Sequence, residues 1–320
     1  MPGTAARTAN PEAVLPLAAL PPKARAAVLA WFDQHGRALP FRATRDPYAI
    51  LVSEVMAQQT QISRVAEAWG RFLARFPTVA DLAEAIPAEV LRAWQGMGYD
   101  RRALNLRRAA RAIVTKHDGR VPSDVTELER LPGIGPYTAR AVASIAFGAC
   151  VGAVDTNVRR VLGRAIEGSA ADTGPTGRLQ TVADASVDRE RPGDWTHALM
   201  DVGATLCRPR IPHCDACPLR AWCRFAAEPG TAASSDERHA ESGQRASSRP
   251  AIAFADTSRW LRGRIVDRLR DADGSAWTVV DAPIGSHHAV AVRSALVDLA
   301  RDGVVELDIT NPDRARLPIS

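Results

Sequence analysis

The sequence predicts an all-α body followed by a small α/β module of winged-helix type, on three observations. Between Pro22 and about Phe225, apolar residues recur at three- and four-residue intervals, with no convincing strand alternation. Prolines and tight turns cut that stretch into short helices. After a polar stretch at 228–252 the helical period returns twice, then gives way to one short strand-like run.

Residues 1–21 are rich in Ala and Pro and are expected to be disordered. Val28, Leu29, Trp31 and Phe32 mark the first amphipathic segment; Val65, Trp69, Phe72, Leu73 and Phe76 mark another, and Leu104, Leu106, Ala109, Ala110 and Ile113 a third. Pro77, Pro87, Pro122 and Pro132 punctuate these segments, and Ser123 and Asp124 stand where helix caps would. Residues 22–227 are expected to form one helical core and 228–252 a flexible linker. In 253–320, Trp260, Leu261, Ile265 and Leu269 form one helical face, and Val290, Val292, Leu296 and Leu299 a second. Val304 to Leu307 then reads as a short strand.

At 320 residues the chain has room for two or three compact domains. Its net charge of +5 fits a nucleic-acid partner. Lys23 and Lys116 are the only lysines among 41 basic residues, so Schiff-base chemistry has almost no amine to use. Neither a membrane-spanning apolar run nor a leader pattern is present, and the expectation is a cytoplasmic, monomeric protein without a membrane partner.

Four of the five cysteines, Cys207, Cys214, Cys217 and Cys223, form the pattern C-x6-C-x2-C-x5-C. Structural zinc sites usually pair two short clips. Only Cys214 and Cys217 form one here, and the wider gaps on either side suit a [4Fe-4S] cubane, whose irons present separated corners. A zinc knuckle or disulfides are the plainer alternatives. Cys150 is left over and is expected to pack as a small apolar residue.

Leu131-Pro-Gly-Ile-Gly-Pro-Tyr-Thr-Ala139 has the form of a helix-hairpin-helix turn. Gly133 and Gly135 permit close backbone approach, and the N–H groups of the following helix start can bind a phosphate without reading sequence. A plain helix-helix turn is the bland reading. Downstream, Asp155 opens the apolar-periodic run Val154-Asp-Thr-Asn-Val-Arg-Arg-Val-Leu162, where an N-cap aspartate is the ordinary role. Glu54 lies in Val52-Ser-Glu-Val-Met-Ala-Gln-Gln-Thr-Gln61, and a glutamate on a helix is usually a solvated one.

Taken together, the cysteine loop, the hairpin, and Ser-Glu-Val-Met followed by Gln-Gln-Thr-Gln resemble the MutY-type adenine DNA glycosylases of the helix-hairpin-helix family. The resemblance covers about residues 25–225 and includes Leu39-Pro-Phe-Arg42. It implies a two-lobed glycosylase fold with a [4Fe-4S] cluster loop at 207–223, acting on double-stranded DNA that contains a mismatched adenine, at the nucleoid. Glu54 would protonate adenine N7, and Asp155 would stabilise the cationic sugar, the paired-carboxylate logic of glycosidases. For that role Glu54 needs a pKa raised by burial. Tyr137 stands where strand-cutting relatives carry a lysine, which implies a monofunctional enzyme. Asn157 completes the candidate catalytic set. Gln58, Gln59, Thr60, Tyr99, Gly133, Gly135 and Arg42 are the candidate DNA contacts, with Gln59 and Tyr99 filling the space a flipped base leaves.

The chain departs from the family pattern at Phe41, Ala57 and Asp100, where tryptophan, leucine and tyrosine are common. Its tail is too short and too helical for the usual Nudix-like domain, and Ser286-His287 matches that domain's contact loop only by coincidence. A winged-helix tail would add duplex affinity through Arg259, Arg262 and Arg264, and Arg208 and Arg210 would flank the cluster loop. Two rivals remain at this point: a thymine or uracil mismatch glycosylase of the same fold, and a non-catalytic DNA-binding protein.

Overall fold

Proline begins several of the helices. In the computed structural model, which describes residues 19–168, 176–227, 253–273 and 276–320, Pro22, Pro47, Pro87, Pro136 and Pro192 each occupy a first helical turn. The fixed φ of proline suits that position, where its missing N–H leaves nothing unsatisfied. Asp46, Thr78, Asp124 and Asp155 cap helix starts by accepting backbone N–H bonds. The expected segment 228–252 and most of 1–21 lie outside the described residues.

The helices run α1 (Pro22–His35), α2 (Pro47–Ala57), α3 (Ile62–Arg75), α4 (Val79–Glu84), α5 (Pro87–Ala93), α6 (Arg101–Lys116), α7 (Val125–Glu129), α8 (Pro136–Phe147), α9 (Thr156–Leu162), α10 (Thr176–Ala185), α11 (Pro192–Asp201) and α12 (Arg224–Ala227). Two cores divide them. Helices α2 to α8 close around Phe72, Phe76 and Trp94, whose rings meet edge to face. The second core joins Val28 and Leu29 of α1 to Val161, Val182, Trp195 and Leu199 of α9 to α11. The chain therefore starts in one lobe, builds the other, and returns. This is the two-lobed arrangement expected, with the first helix beside the cysteine region.

The crossing between lobes is fixed by a buried charge. Asp201, at the end of α11, has no exposed side-chain surface. It accepts the Arg37 backbone N–H at 2.9 Å, Arg37 Nε at 2.7 Å and both terminal nitrogens of Arg42 at 2.8 Å. Such a carboxylate is stable in the interior only because its lone pairs are filled by charged, well-aligned donors.

The C-terminal module has α13 (Ser258–Arg270), β1 (Thr278–Val279), α14 (Ala289–Arg301), β2 (Glu306–Leu307) and β3 (Arg314–Arg316). Its strands form an antiparallel sheet in the order β1-β3-β2, with Thr278 opposite Ala315 and Glu306 opposite Arg316. Leu261, Ile265 and Leu269 pack against Val292, Leu296 and Leu299, as the periodicity predicts. Val290 does not join them: at the second residue of α14 it points outward and is 85% exposed. The module is docked on the helical body, not tethered beside it. Arg270, nearly buried, pairs with Asp100 and donates to the Leu91 carbonyl at 2.9 Å, while the Ala88 N–H bonds the Pro318 carbonyl at 2.9 Å.

Cys150 is also a correction. It is exposed, because in the loop after the left-handed Gly148 that ends α8 its neighbours Ala149 and Val151 pack against the first core while its own side chain does not. Among the described residues no helix is long and apolar enough to cross a membrane.

Candidate active site and cysteine cavity

Helix α2 is buried from Tyr48 through Met56, so it has no solvent face on which to leave a polar residue. Glu54 is therefore drawn into the interior, with 8% of its surface exposed. The Tyr137 hydroxyl, at the start of α8, donates to Glu54 Oε2 at 3.2 Å. Burial pushes the Glu54 carboxyl from its usual 4.5 to about 7; the Tyr137 bond and Arg42 oppose the rise, and the charge of Asp155 adds to it. Burial also lifts the Tyr137 phenol well above its usual 10, so it remains a donor.

Asp155 belongs to the other lobe. It caps α9, with Oδ1 accepting the Val158 N–H at 2.6 Å and Oδ2 accepting Asn157 Nδ2 at 3.0 Å. The capping role and a place at the site coexist, since its charge is felt at both Glu54 and Tyr137. The four candidate catalytic residues are thus one cluster: Glu54 and Tyr137 from one lobe, Asp155 and Asn157 from the other.

Sequence reasoning missed the group that holds Asn157. Arg160 donates to Asn157 Oδ1 at 2.7 Å, to the Gly203 carbonyl at 2.7 Å and to the Cys207 carbonyl at 2.6 Å. Gly203 lets the chains approach this closely, since a Cβ there would lie 2.6 Å from Asn157 Cβ. The i, i+3 spacing of Asn157 and Arg160 was visible, but the two carbonyls are more than forty residues away.

The candidate DNA contacts gather on a neighbouring edge. Gly133 has φ of +79°, and a Cβ on it would sit 2.7 Å from Asn105 Cβ, so the hairpin turn needs glycine. Gly135 caps α8, and Gln58 Nε2 ties α2 to this turn through Thr138 Oγ1 at 3.2 Å. Gln59 and Tyr99 have φ of 55° and 49°, left-handed conformations uncommon outside glycine. A second missed residue, Arg102, staples both loops. It donates to the carbonyl of Gln58, to Thr60 Oγ1 at 2.8 Å, and to the Met97 and Gly98 carbonyls at 3.1 Å. Arg42 does not belong to this edge. Its guanidinium is spent on Asp201 and its side chain is only 10% exposed, so the geometry gives no support to its contacting DNA.

The four loop cysteines line one cavity, walled by wide helical turns at Gly163–Glu167 and Val202–Leu206 that extend α9 and α11. Among the described residues no three His, Cys, Asp or Glu side chains form a single-ion site. Burial and their mutual repulsion raise the thiols of Cys214 and Cys223, and that of Cys217 to about 11. Holding them as thiolates requires positive charge from a bound group. Arg164, buried beside them, donates to Cys207 Sγ at 3.4 Å while its Nε has no partner. Four cysteines around one cavity, a buried cation and an orphaned donor fit an anionic cluster.

The model of the HhH-GPD superfamily of base excision DNA repair proteins matches residues 52–174. The chain is 43% identical over 249 residues to an adenine DNA glycosylase of Mycolicibacterium smegmatis, covering 77% of this chain and 80% of that protein. It is 42% identical over 211 residues to the human adenine DNA glycosylase, covering 62% of this chain and 39% of that one. Among solved structures, a thermostable thymine-DNA glycosylase superposes with TM-score 0.60 at 29% identity, over 63% of this chain and 94% of that chain. A non-covalent endonuclease III–DNA complex gives 0.55 at 26% identity, over 63% and 92%.

Proposed function

The chain belongs to the adenine DNA glycosylases of the HhH-GPD superfamily, and on that premise we propose a monofunctional enzyme of base excision repair. It hydrolyses the N-glycosidic bond of adenine mispaired with 8-oxoguanine or guanine in duplex DNA, acting as a monomer on nucleoid DNA in the cytoplasm.

The observation that carries this reading is the environment of Glu54. A carboxyl held at about 7 by burial is about half protonated at neutral pH and can give its proton to a base. Glu54 protonates adenine N7 while the C1′–N9 bond breaks, its electron pair leaving with the neutral purine. The sugar becomes an oxocarbenium ion, which the carboxylate of Asp155 faces and stabilises. Water then adds at C1′ and loses a proton, leaving an abasic site. Tyr137 and Asn157 position the two acids. N7 protonation is purine chemistry, which favours adenine over thymine or uracil.

The absence of a strand-cutting step follows from the side chains. A phenol at position 137 cannot form an imine, and Lys23 and Lys116 are exposed on α1 and at the end of α6. Gly133 and Gly135 hold a phosphate of the damaged strand. Gln59 and Tyr99, kept left-handed by the Arg102 staple, fill the stack when adenine is extruded. Cys207, Cys214, Cys217 and Cys223 hold a [4Fe-4S] cluster, whose part is to shape the loop and not to take part in hydrolysis.

The test is single-turnover excision on duplexes carrying A opposite 8-oxoguanine, A opposite G, G opposite T and G opposite U, with strand breaks scored before and after alkali. Adenine release with breaks only after alkali is expected. Excision of pyrimidines alone would sink the proposal, as would breaks that form without alkali.

A further inference from the structure

Besides Arg270, helix α13 turns Arg259 toward the catalytic body. The Arg259 guanidinium lies over the Tyr99 ring, 4.2 Å from its centroid, and Arg102 approaches the same ring at 5.4 Å. An exposed aromatic with an unusual backbone is therefore held both from its own loop and from the C-terminal module. A groove of about 840 Å³ runs between the two parts, with Gln59, Arg64, Tyr99, Arg259 and Trp260 on its walls.

The other α13 arginines expected to bind DNA are committed elsewhere. Arg262 pairs with Asp302 and Arg264 with Asp267. An arginine whose charge is met by a carboxylate adds little attraction for a phosphate. Among the described residues Arg64 and Arg259 have no carboxylate partner, and they stand on the two sides of the groove, α3 and α13.

We propose that a strand of the duplex passes through this groove and that Arg259 is a positioning residue that sets Tyr99 against it. This inference rests on the glycosylase reading above. The module is then one wall of the DNA-reading edge, not an accessory anchor. The guanidinium–ring contact reduces the freedom of Tyr99 before DNA arrives, so less ordering is left to the binding step. Arg64 meets the backbone of the same strand.

The experiment is a double-mutant cycle in the full chain: Arg259→Ala, Tyr99→Ala and both together, with Arg268→Ala as a control on the same helix. Affinity is measured for a duplex carrying a hydrolysis-resistant 2′-fluoro-deoxyadenosine opposite 8-oxoguanine. Melting temperatures equal to that of the control confirm folding. Arg259→Ala is expected to weaken binding about three- to tenfold, but less than twofold once Tyr99 is already alanine. Equal losses in both backgrounds, or no loss in either, would overturn the positioning role. Arg64→Ala should weaken binding by a similar factor in both Tyr99 backgrounds and flatten the salt dependence by about one phosphate contact; an unchanged slope would overturn the groove. Excision of adenine by the wild-type chain is scored separately, so failure of the enzymatic reading is distinguishable from failure of this one.

Discussion

The two lobes bring a carboxylate to one site by opposite means. In the first lobe Glu54 is carried inward by a helix that is apolar on every side, and burial raises its pKa to about 7. In the second, Asp155 heads a helix, where two N–H donors, from Val158 and Asn157, hold its oxygens as acceptors. One lobe thus buries its carboxyl in hydrocarbon and the other sets its carboxyl at a helix start, with identical functional groups. The difference comes from whether a carboxyl meets side-chain hydrocarbon or a helix N-terminus. The charge of Asp155 is felt at Glu54, so the two environments meet across the lobe boundary.

That contrast fails most visibly if the donor is removed. Glu54→Gln is expected to lower single-turnover adenine excision by about 10³-fold or more while leaving duplex affinity near wild type. Retained excision would show that the proton comes from elsewhere. Asp155→Asn keeps the cap but removes the charge, and should cost about 10²- to 10³-fold in the same assay. The thermal midpoint should change little, because asparagine is as good a cap as aspartate.

Arg160→Ala tests how firmly the second lobe holds its anion. It removes the bonds from Arg160 to Asn157, Gly203 and Cys207. Excision should fall about tenfold, and chemical denaturation should show a loss of about 2 kcal/mol. An unchanged rate would mean that the Asp155 cap positions itself.

The last effect concerns stability alone. Because the Glu54 carboxyl sits near 7 when folded and at 4.5 otherwise, the folded state holds the extra proton, and this stabilisation is lost as pH rises through 7. Glu54→Gln should therefore be more stable than wild type at pH 8, by up to about 3 kcal/mol, with the difference shrinking toward pH 5. Denaturant midpoints at the two pH values would reveal it.

What could be read in the chain beforehand follows the range of each interaction. The cysteine loop, the hairpin glycines and the Asp155 cap are set by neighbours within a few residues, and spacing alone displayed them. Helix α2 is apolar around Ser53 and Glu54, but the raised Glu54 carboxyl was not legible, because the shift depends on burial by distant elements such as Tyr137. Arg42 misled because nothing near it marks Asp201, which is 159 residues away. The Arg160 bridge and the Arg259–Tyr99 contact were hidden for the same reason. Cys150 and Val290 were misplaced because apolar character does not say which residues fall on the exposed side of a loop or at the exposed end of a helix.

The central claim is that Glu54 gives its proton to the departing base, and the pH dependence of single-turnover adenine excision tests it most directly. Between pH 5 and 9, the account predicts a rate that is highest on the acid side and falls about tenfold per pH unit above about 7, as the Glu54 carboxyl loses its proton. A rate that stays level or rises through pH 9 would contradict it.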